Sequence, residues 1–171
     1  MERIIFLDID GVLVTERVIL QATLSWYGVS TLHEAEILQK YKKEHGLYIP
    51  SFHGINSPFD PESIQYLHSL ANMGVEFVIT SSWREEMSQD TLIDHFHKKG
   101  LNIPVIGYTP IEGGDRVFEI NEWIRTEGFT GSYCIIDDIN LNCQNLVITN
   151  PENGITNVEY NQIIKILNPE I

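Results

Sequence analysis

Residues 3–14 constrain this chain more than any other stretch: Arg3-Ile4-Ile5-Phe6-Leu7-Asp8-Ile9-Asp10-Gly11-Val12-Leu13-Val14. An apolar run of strand type, Ile4 to Leu7, ends in two carboxylates two residues apart and then a glycine. Side chains at i and i+2 of a strand share a face, so Asp8 and Asp10 are expected to converge at its C-terminal end. Carboxylates that close repel each other unless a proton or a cation lies between them. Oxygen-only ligands at the mouth of a buried strand suit a hard cation such as Mg²⁺. A solvated strand end is the plainer alternative, but Gly11 followed by apolar Val12-Leu13 favours a tight turn beside a site.

The rest of the chain alternates strands with helices. Asp60-Pro61-Glu62-Ser63 supplies an N-cap, a proline at the first helical position and an early acid. Ile64, Leu67, Leu70 and Ala71 follow at helical spacing up to Gly74. Strands are predicted at 75–80, 103–106, 133–136 and 146–149, and helices at 88–99, 116–126 and 158–167. Such alternation predicts an α/β fold, a three-layer sandwich on a mainly parallel sheet. Ligands then bind outside the carboxyl ends of the strands. Residues 15–50 interrupt the pattern with an insert long enough to be a functional cover. Within it, Ser30-Thr31-Leu32-His33-Glu34 reads as a capping box opening a helix to about Glu44, with Gly46 as its stop.

Two further polar clusters fall at strand ends. Thr80 and Ser81 follow the apolar Val75–Ile79 strand. A hydroxyl there can donate to a phosphoryl oxygen while the next backbone N–H groups cradle the anion; capping of the following helix is the alternative. Asp137 and Asp138 follow Tyr133-Cys134-Ile135-Ile136. Adjacent acids after a buried strand are costly unless they share a cation with Asp8, although an Asx-type turn is also compatible.

Phe6-Leu7-Asp8-Ile9-Asp10-Gly11-Val12-Leu13 resembles the first motif of the haloacid dehalogenase-like (HAD) hydrolases, and the later motifs follow in order across residues 8–138. The resemblance implies a Rossmann-like sheet with a small helical cap inserted after the first strand, and a single HAD-like domain over 1–171. It implies that Asp8 is the nucleophile and Asp10 the acid/base. Thr80, with help from Ser81, would bind the substrate phosphate, and Asp8, Asp10, Asp137 and Asp138 would hold Mg²⁺, Asp10 through its backbone carbonyl. The family's fixed cation near the start of a later helix would be Arg116, with Lys98 and Lys99 as rivals. For Arg116 the plain reading is a surface bridge to Glu119 at i, i+3. Phe6–Leu13, Thr80-Ser81-Ser82-Trp83-Arg84, Ile135–Asp138 and the tail Asn150–Thr156 are similar to compact HAD domains associated with RNA-repair proteins. Trp83 also reads simply as an aromatic anchor for its loop.

The implied activity is a Mg²⁺-dependent phosphomonoester hydrolase working through an aspartyl-phosphate. The alternatives are a phospho-accepting signalling module and a non-hydrolytic phosphate-binding domain. With 24 acids against 11 Lys and Arg the net charge is −13, which argues against extended nucleic-acid binding. The expected partner is a small phosphorylated substrate, or a nucleotide or RNA end gripped mainly by one terminal phosphate. Arg84 and Arg17 are the candidates for any further backbone contact. No apolar run approaches the roughly 18 residues of a membrane span, a first strand at residue 3 leaves no room for a leader, and Cys134 and Cys143 lack a CxxC spacing. A cytoplasmic protein with free thiols is expected.

Overall fold

The computed structural model describes residues 2–47, 54–112 and 114–168. Five strands, β1 (Arg3–Leu7), β2 (Glu76–Ile79), β3 (Val105–Tyr108), β4 (Ser132–Asp137) and β5 (Leu146–Ile148), form one sheet in the order β3-β2-β1-β4-β5. Every pairing is parallel. Seven α-helices accompany them among the described residues: α1 (Glu16–Tyr27), α2 (Leu32–Glu44), α3 (Pro61–Asn72), α4 (Trp83–Glu86), α5 (Gln89–Lys98), α6 (Arg116–Glu127) and α7 (Asn157–Leu167).

Alternation along the strands builds two apolar layers. Ile5, Leu7, Phe77, Ile79, Cys134 and Ile136 face α3, α5 and α7, which contribute Leu67, Leu70, Leu92, Phe96, Ile163 and Leu167. Ile4, Phe6, Val78 and Ile135 face the other way, against Ile120 and Trp123 of α6. Phe6 is gripped edge-on there, with ring centroids 5.5 Å from Trp123 and 5.8 Å from Tyr133. The predicted three-layer fold is the one observed.

Strand order positions the site. From β1 the chain adds β2 and then β3 on one side, and α6 carries it across the opposite face to β4 on the other side of β1. The crevice at that reversal lies between the carboxyl ends of β1 and β4, where open parallel sheets bind ligands. Leu7 pairs with Ile136, and the Asp8 N–H donates to the Ile136 carbonyl at 3.0 Å. Asp8, which follows β1, and Asp137 and Asp138, at the end of β4, are therefore brought side by side.

The insert after β1 is a helical pair. Its second helix is the predicted one: Thr31 caps α2, and Thr31 and Glu34 form the reciprocal capping box. Its first helix was not evident in the sequence. Thr15 caps α1 and Gly28 ends it in the left-handed conformation. Residues 48–50 of the insert lie outside the described residues. The predicted 103–106 strand is displaced to Val105–Tyr108, because Pro104 has no N–H and only its carbonyl joins the ladder, accepting from Phe77 N–H at 2.9 Å.

The base of α1 is tied down from two sides. The Thr15 hydroxyl donates to Asp60, the N-cap of α3, at 3.1 Å, and Arg17 pairs with the same carboxylate at 2.6 Å. The tail after β5 supplies carbonyls from Pro151 and Glu152 to Glu16 N–H and Arg17 N–H, at 2.9 and 3.2 Å. No helix among the described residues is long and apolar enough to cross a membrane.

Candidate active site

Asp8 sits at the centre, 4 % exposed. Arg116 at the first position of α6 reaches its carboxylate at 2.9 Å and also bonds Asp137. Carboxylate oxygens of Asp8, Asp137 and Asp138 lie within 4.8 Å of one another. Burial pushes the Asp8 carboxyl up to about 6; Arg116 pulls against this, and Asp137 adds to it. Asp138 is likewise raised by burial and then by the charge of Asp137, with Asp10 contributing in the same direction.

Asp137 is fully buried, and both its oxygens have partners: one accepts from Ile139 N–H at 2.9 Å and the other from Arg116. Asp138 packs against the turn after β1. Gly11 there has φ +70°, and a Cβ on it would lie 2.5 Å from the Asp138 side chain. Glycine is required twice over at this position, for its backbone conformation and for the space it leaves. Thr149 holds the same turn, its hydroxyl donating to the Gly11 carbonyl at 3.0 Å.

The Asp10 carboxylate is turned elsewhere. It accepts the indole N–H of Trp83 at 2.8 Å and is outside the three-carboxylate cluster. Its backbone carbonyl accepts no backbone hydrogen bond among the described residues, where Gly11 N–H donates to Val14 O and Val14 N–H to Ile9 O. Trp83 is buried among Phe59 and His95, with centroids 6.2 and 5.9 Å away. It anchors its loop, and its polar edge also serves Asp10.

Beyond β2, Thr80 is fully buried, and its Oγ1 is a buried side-chain oxygen with no hydrogen-bond partner among the described residues. Such a group is costly unless something else satisfies it. Ser81 is also buried, and its hydroxyl accepts from Trp83 N–H at 3.4 Å. The N–H groups of Ser81 and Ser82 find no acceptor among the described residues. An unpartnered hydroxyl next to free backbone donors is the donor set an anion takes.

The residues singled out in the sequence thus lie at three neighbouring strand ends: Asp8 and Asp10 after β1, Thr80 and Ser81 after β2, and Asp137 and Asp138 at the end of β4, with Arg116 reaching in to Asp8 and Asp137. The i, i+3 bridge from Arg116 to Glu119 does not form, since Arg116 turns in to Asp8 and Glu119 pairs with Arg84. Neither rival lysine takes the place of Arg116: Lys98 pairs with Asp94 at 2.6 Å on the surface, and Lys99 bonds the Ser57 carbonyl beside the Phe59 ring. Arg84 and Arg17 are both engaged internally, Arg17 with Asp60 and Glu62. Sequence reasoning missed the bond from Trp83 to Asp10 and the Arg84–Glu119 pair. Neither has a local signal, because the partners stand 73 and 35 residues apart.

The donor set fits a hard divalent cation. Three carboxylates face one compensating arginine, and all their ligand atoms are oxygen.

No curated protein matches the chain. A crystal structure from Thermotoga maritima, whose assignment as a beta-phosphoglucomutase is itself provisional, is similar at 13 % identity with a TM-score of 0.49, covering all of both chains. Residues 4–160 match the model of the family described as the HAD domain in Swiss Army Knife RNA repair proteins. That match takes in the turn after β1, the Thr80 turn, Arg116 and both acids at the end of β4, and the chain belongs to this family of HAD domains.

Proposed function

We propose that the protein is a Mg²⁺-dependent phosphatase that hydrolyses a phosphomonoester through an aspartyl-phosphate on Asp8. The observation that carries this reading is the buried Asp8 carboxylate held by Arg116 beside Asp137 and Asp138, with the unpartnered Thr80 hydroxyl on the neighbouring strand end.

An Asp8 oxygen attacks phosphorus and the ester P–O bond breaks. The leaving oxygen takes its proton from the Asp10 carboxyl. Asp10, now a carboxylate, accepts a proton from water, whose oxygen attacks the phosphorus of the acyl phosphate. The P–O bond to Asp8 breaks, releasing inorganic phosphate and restoring the Asp8 carboxylate. The Trp83 indole holds Asp10 in place for both proton transfers. Thr80 Oγ1, the Ser81 and Ser82 N–H groups and Arg116 receive the charge on the phosphoryl oxygens. Asp8, Asp137, Asp138 and the Asp10 carbonyl would hold Mg²⁺, which supplies positive charge against both the carboxylates and the phosphoryl group.

The whole chain would act as one domain with 15–50 as its cover. Arg17 and Arg84 are spoken for within the protein and the chain carries −13, which supports a substrate gripped by a single terminal phosphate. Phosphate release should be measured across nucleotides, sugar phosphates and phosphorylated RNA ends, with Mg²⁺ and with excess chelator. Mg²⁺-dependent release from at least one class is expected. Full activity in chelator would remove the metal from the reaction. A lasting phosphoryl-enzyme with no turnover would favour the phospho-accepting module instead.

A further inference from the structure

The side chains of Arg84 and Glu119 are 5 % and 4 % exposed, and of the ion pairs among the described residues only theirs has both side chains this deeply buried. Burying two charges is unfavourable unless the geometry is very good and the remaining donors are satisfied. Here they are. A guanidinium has five N–H donors, and each has an acceptor. Nε donates to the Thr109 carbonyl at 3.1 Å. Nη1 donates to the carbonyls of Thr80 and of Ser81, the latter at 2.8 Å. Nη2 donates to the Pro110 carbonyl at 3.4 Å and to Glu119. One side chain therefore ties the end of β2 to the end of β3 and to the first turns of α6.

Two consequences bear on the crevice. The C=O and N–H of a trans peptide point in opposite directions. Drawing the Thr80 and Ser81 carbonyls toward Arg84 therefore turns the N–H groups of Ser81 and Ser82 to the far side of the turn. Those are the N–H groups without an acceptor among the described residues, next to the unpartnered Thr80 hydroxyl. The second consequence runs through Glu119. It stands one turn after Arg116 on α6, and its other oxygen accepts from Glu112 N–H at 3.0 Å. Holding Glu119 fixes the rotation of α6 and so the point from which Arg116 reaches Asp8 and Asp137.

We infer that Arg84 and Glu119 are a positioning pair for phosphoryl transfer, aligning the anion-binding turn after β2 with the arginine that holds the nucleophile, while touching neither substrate nor reacting atoms. The inference rests on the function proposed above. Lysine at 84 supplies a single point charge and cannot reach five acceptors. Glutamine at 119 keeps the shape but presents an amide donor, or no charge, to the guanidinium.

The test compares wild type, Arg84→Lys and Glu119→Gln, all with Mg²⁺ and well below each melting temperature. Affinity for inorganic phosphate is measured by calorimetric titration, and kcat and KM with p-nitrophenyl phosphate. A fold intact by near-ultraviolet circular dichroism is the condition for inclusion. Glu119→Gln, the nearly isosteric change, carries the test if Arg84→Lys does not fold. A folded variant should lose phosphate affinity and lower kcat, kcat by on the order of a hundredfold, the scale of an ångström's misplacement. The double variant should lose little more than Arg84→Lys alone, because both changes cut one connection. Folded variants that melt earlier yet stay within about twofold of wild type in phosphate affinity and kcat, the usual size of an uninvolved substitution, would make the pair merely structural and overturn the inference. A wild type that neither binds phosphate nor releases it from any phosphomonoester would overturn the proposed function and this inference with it.

Discussion

The indole N–H of Trp83 donates to the carboxylate of Asp10 at 2.8 Å, joining the loop after β2 to the second acid of the first motif. Asp10 is exposed, and an exposed carboxylate samples many rotamers. This bond holds it in one while Asp8, two residues earlier, is held by Arg116. Two acids of the same motif are thus given separate partners and separate environments, as an acid/base and a nucleophile require.

Trp83→Phe should therefore lower kcat by about tenfold, a modest share of what general acid–base catalysis contributes, with a small change in melting temperature. Phenylalanine keeps the contact with Phe59 but has no donor for Asp10. Steady-state kinetics beside thermal melts check this. Unchanged kcat would show that Asp10 needs no orientation from the indole.

Gly11→Ala should do two things at once. A left-handed residue other than glycine costs roughly 1–2 kcal/mol, and the new Cβ must displace the Asp138 carboxylate. Lower stability in urea and a higher Mg²⁺ requirement are both expected. A stability loss with an unaltered Mg²⁺ titration would separate Asp138 from the metal.

The two acids at the end of β4 should also part company. Asp137→Ala leaves Arg116 without one of its two buried partners, and removing one member of a buried pair costs about 3–5 kcal/mol. Asp138→Ala, in a half-buried position with no ion-pair partner among the described residues to strand, should raise the Mg²⁺ requirement with stability close to wild type. Denaturation curves and Mg²⁺ titrations of both variants decide it; equal stability losses would contradict the assignment.

The first motif and both later acid and hydroxyl clusters were legible because each is a local pattern: an apolar strand followed at once by polar residues. The caps at Thr31 and Asp60 are local for the same reason. Helix α1 was not read, although Thr15 and Gly28 mark its two ends. Its only fully buried residue is Val18, so no strong apolar face announces it. The partners of Arg116, Glu119 and Arg84 were unreadable on different grounds. A nearby opposite charge suggested the bridge from Arg116 to Glu119, yet tertiary folding sends each to a more buried partner that adjacency in sequence does not reveal.

Stability of the metal-free protein should carry the signature of Asp8. Its carboxyl is raised by burial from 3.8 to about 6 against the opposing charge of Arg116. Between those values the folded state binds more protons than the unfolded one, so stability contributed by protonated Asp8 falls as pH rises and is lost above about 6. A shift of that size corresponds to roughly 3 kcal/mol. Asp8→Asn removes this dependence. In excess chelator the variant should gain on wild type as pH rises from about 4 to about 7, measured by urea denaturation. Parallel pH profiles for the two proteins would show that Asp8 does not titrate in this window.

The central claim is that Asp8 becomes phosphorylated during turnover. Asp10→Asn can neither protonate a leaving oxygen nor activate water, so it is mixed with Mg²⁺ and p-nitrophenyl phosphate, whose phenolate leaves without a proton; quenching in acid and mapping the peptides by mass should find the phosphoryl group on Asp8. Asp8→Asn should show neither phosphorylation nor turnover. p-Nitrophenyl phosphate hydrolysed by wild type with no phosphoryl group on Asp8 in the Asp10→Asn protein, or turnover surviving in Asp8→Asn, would contradict the account.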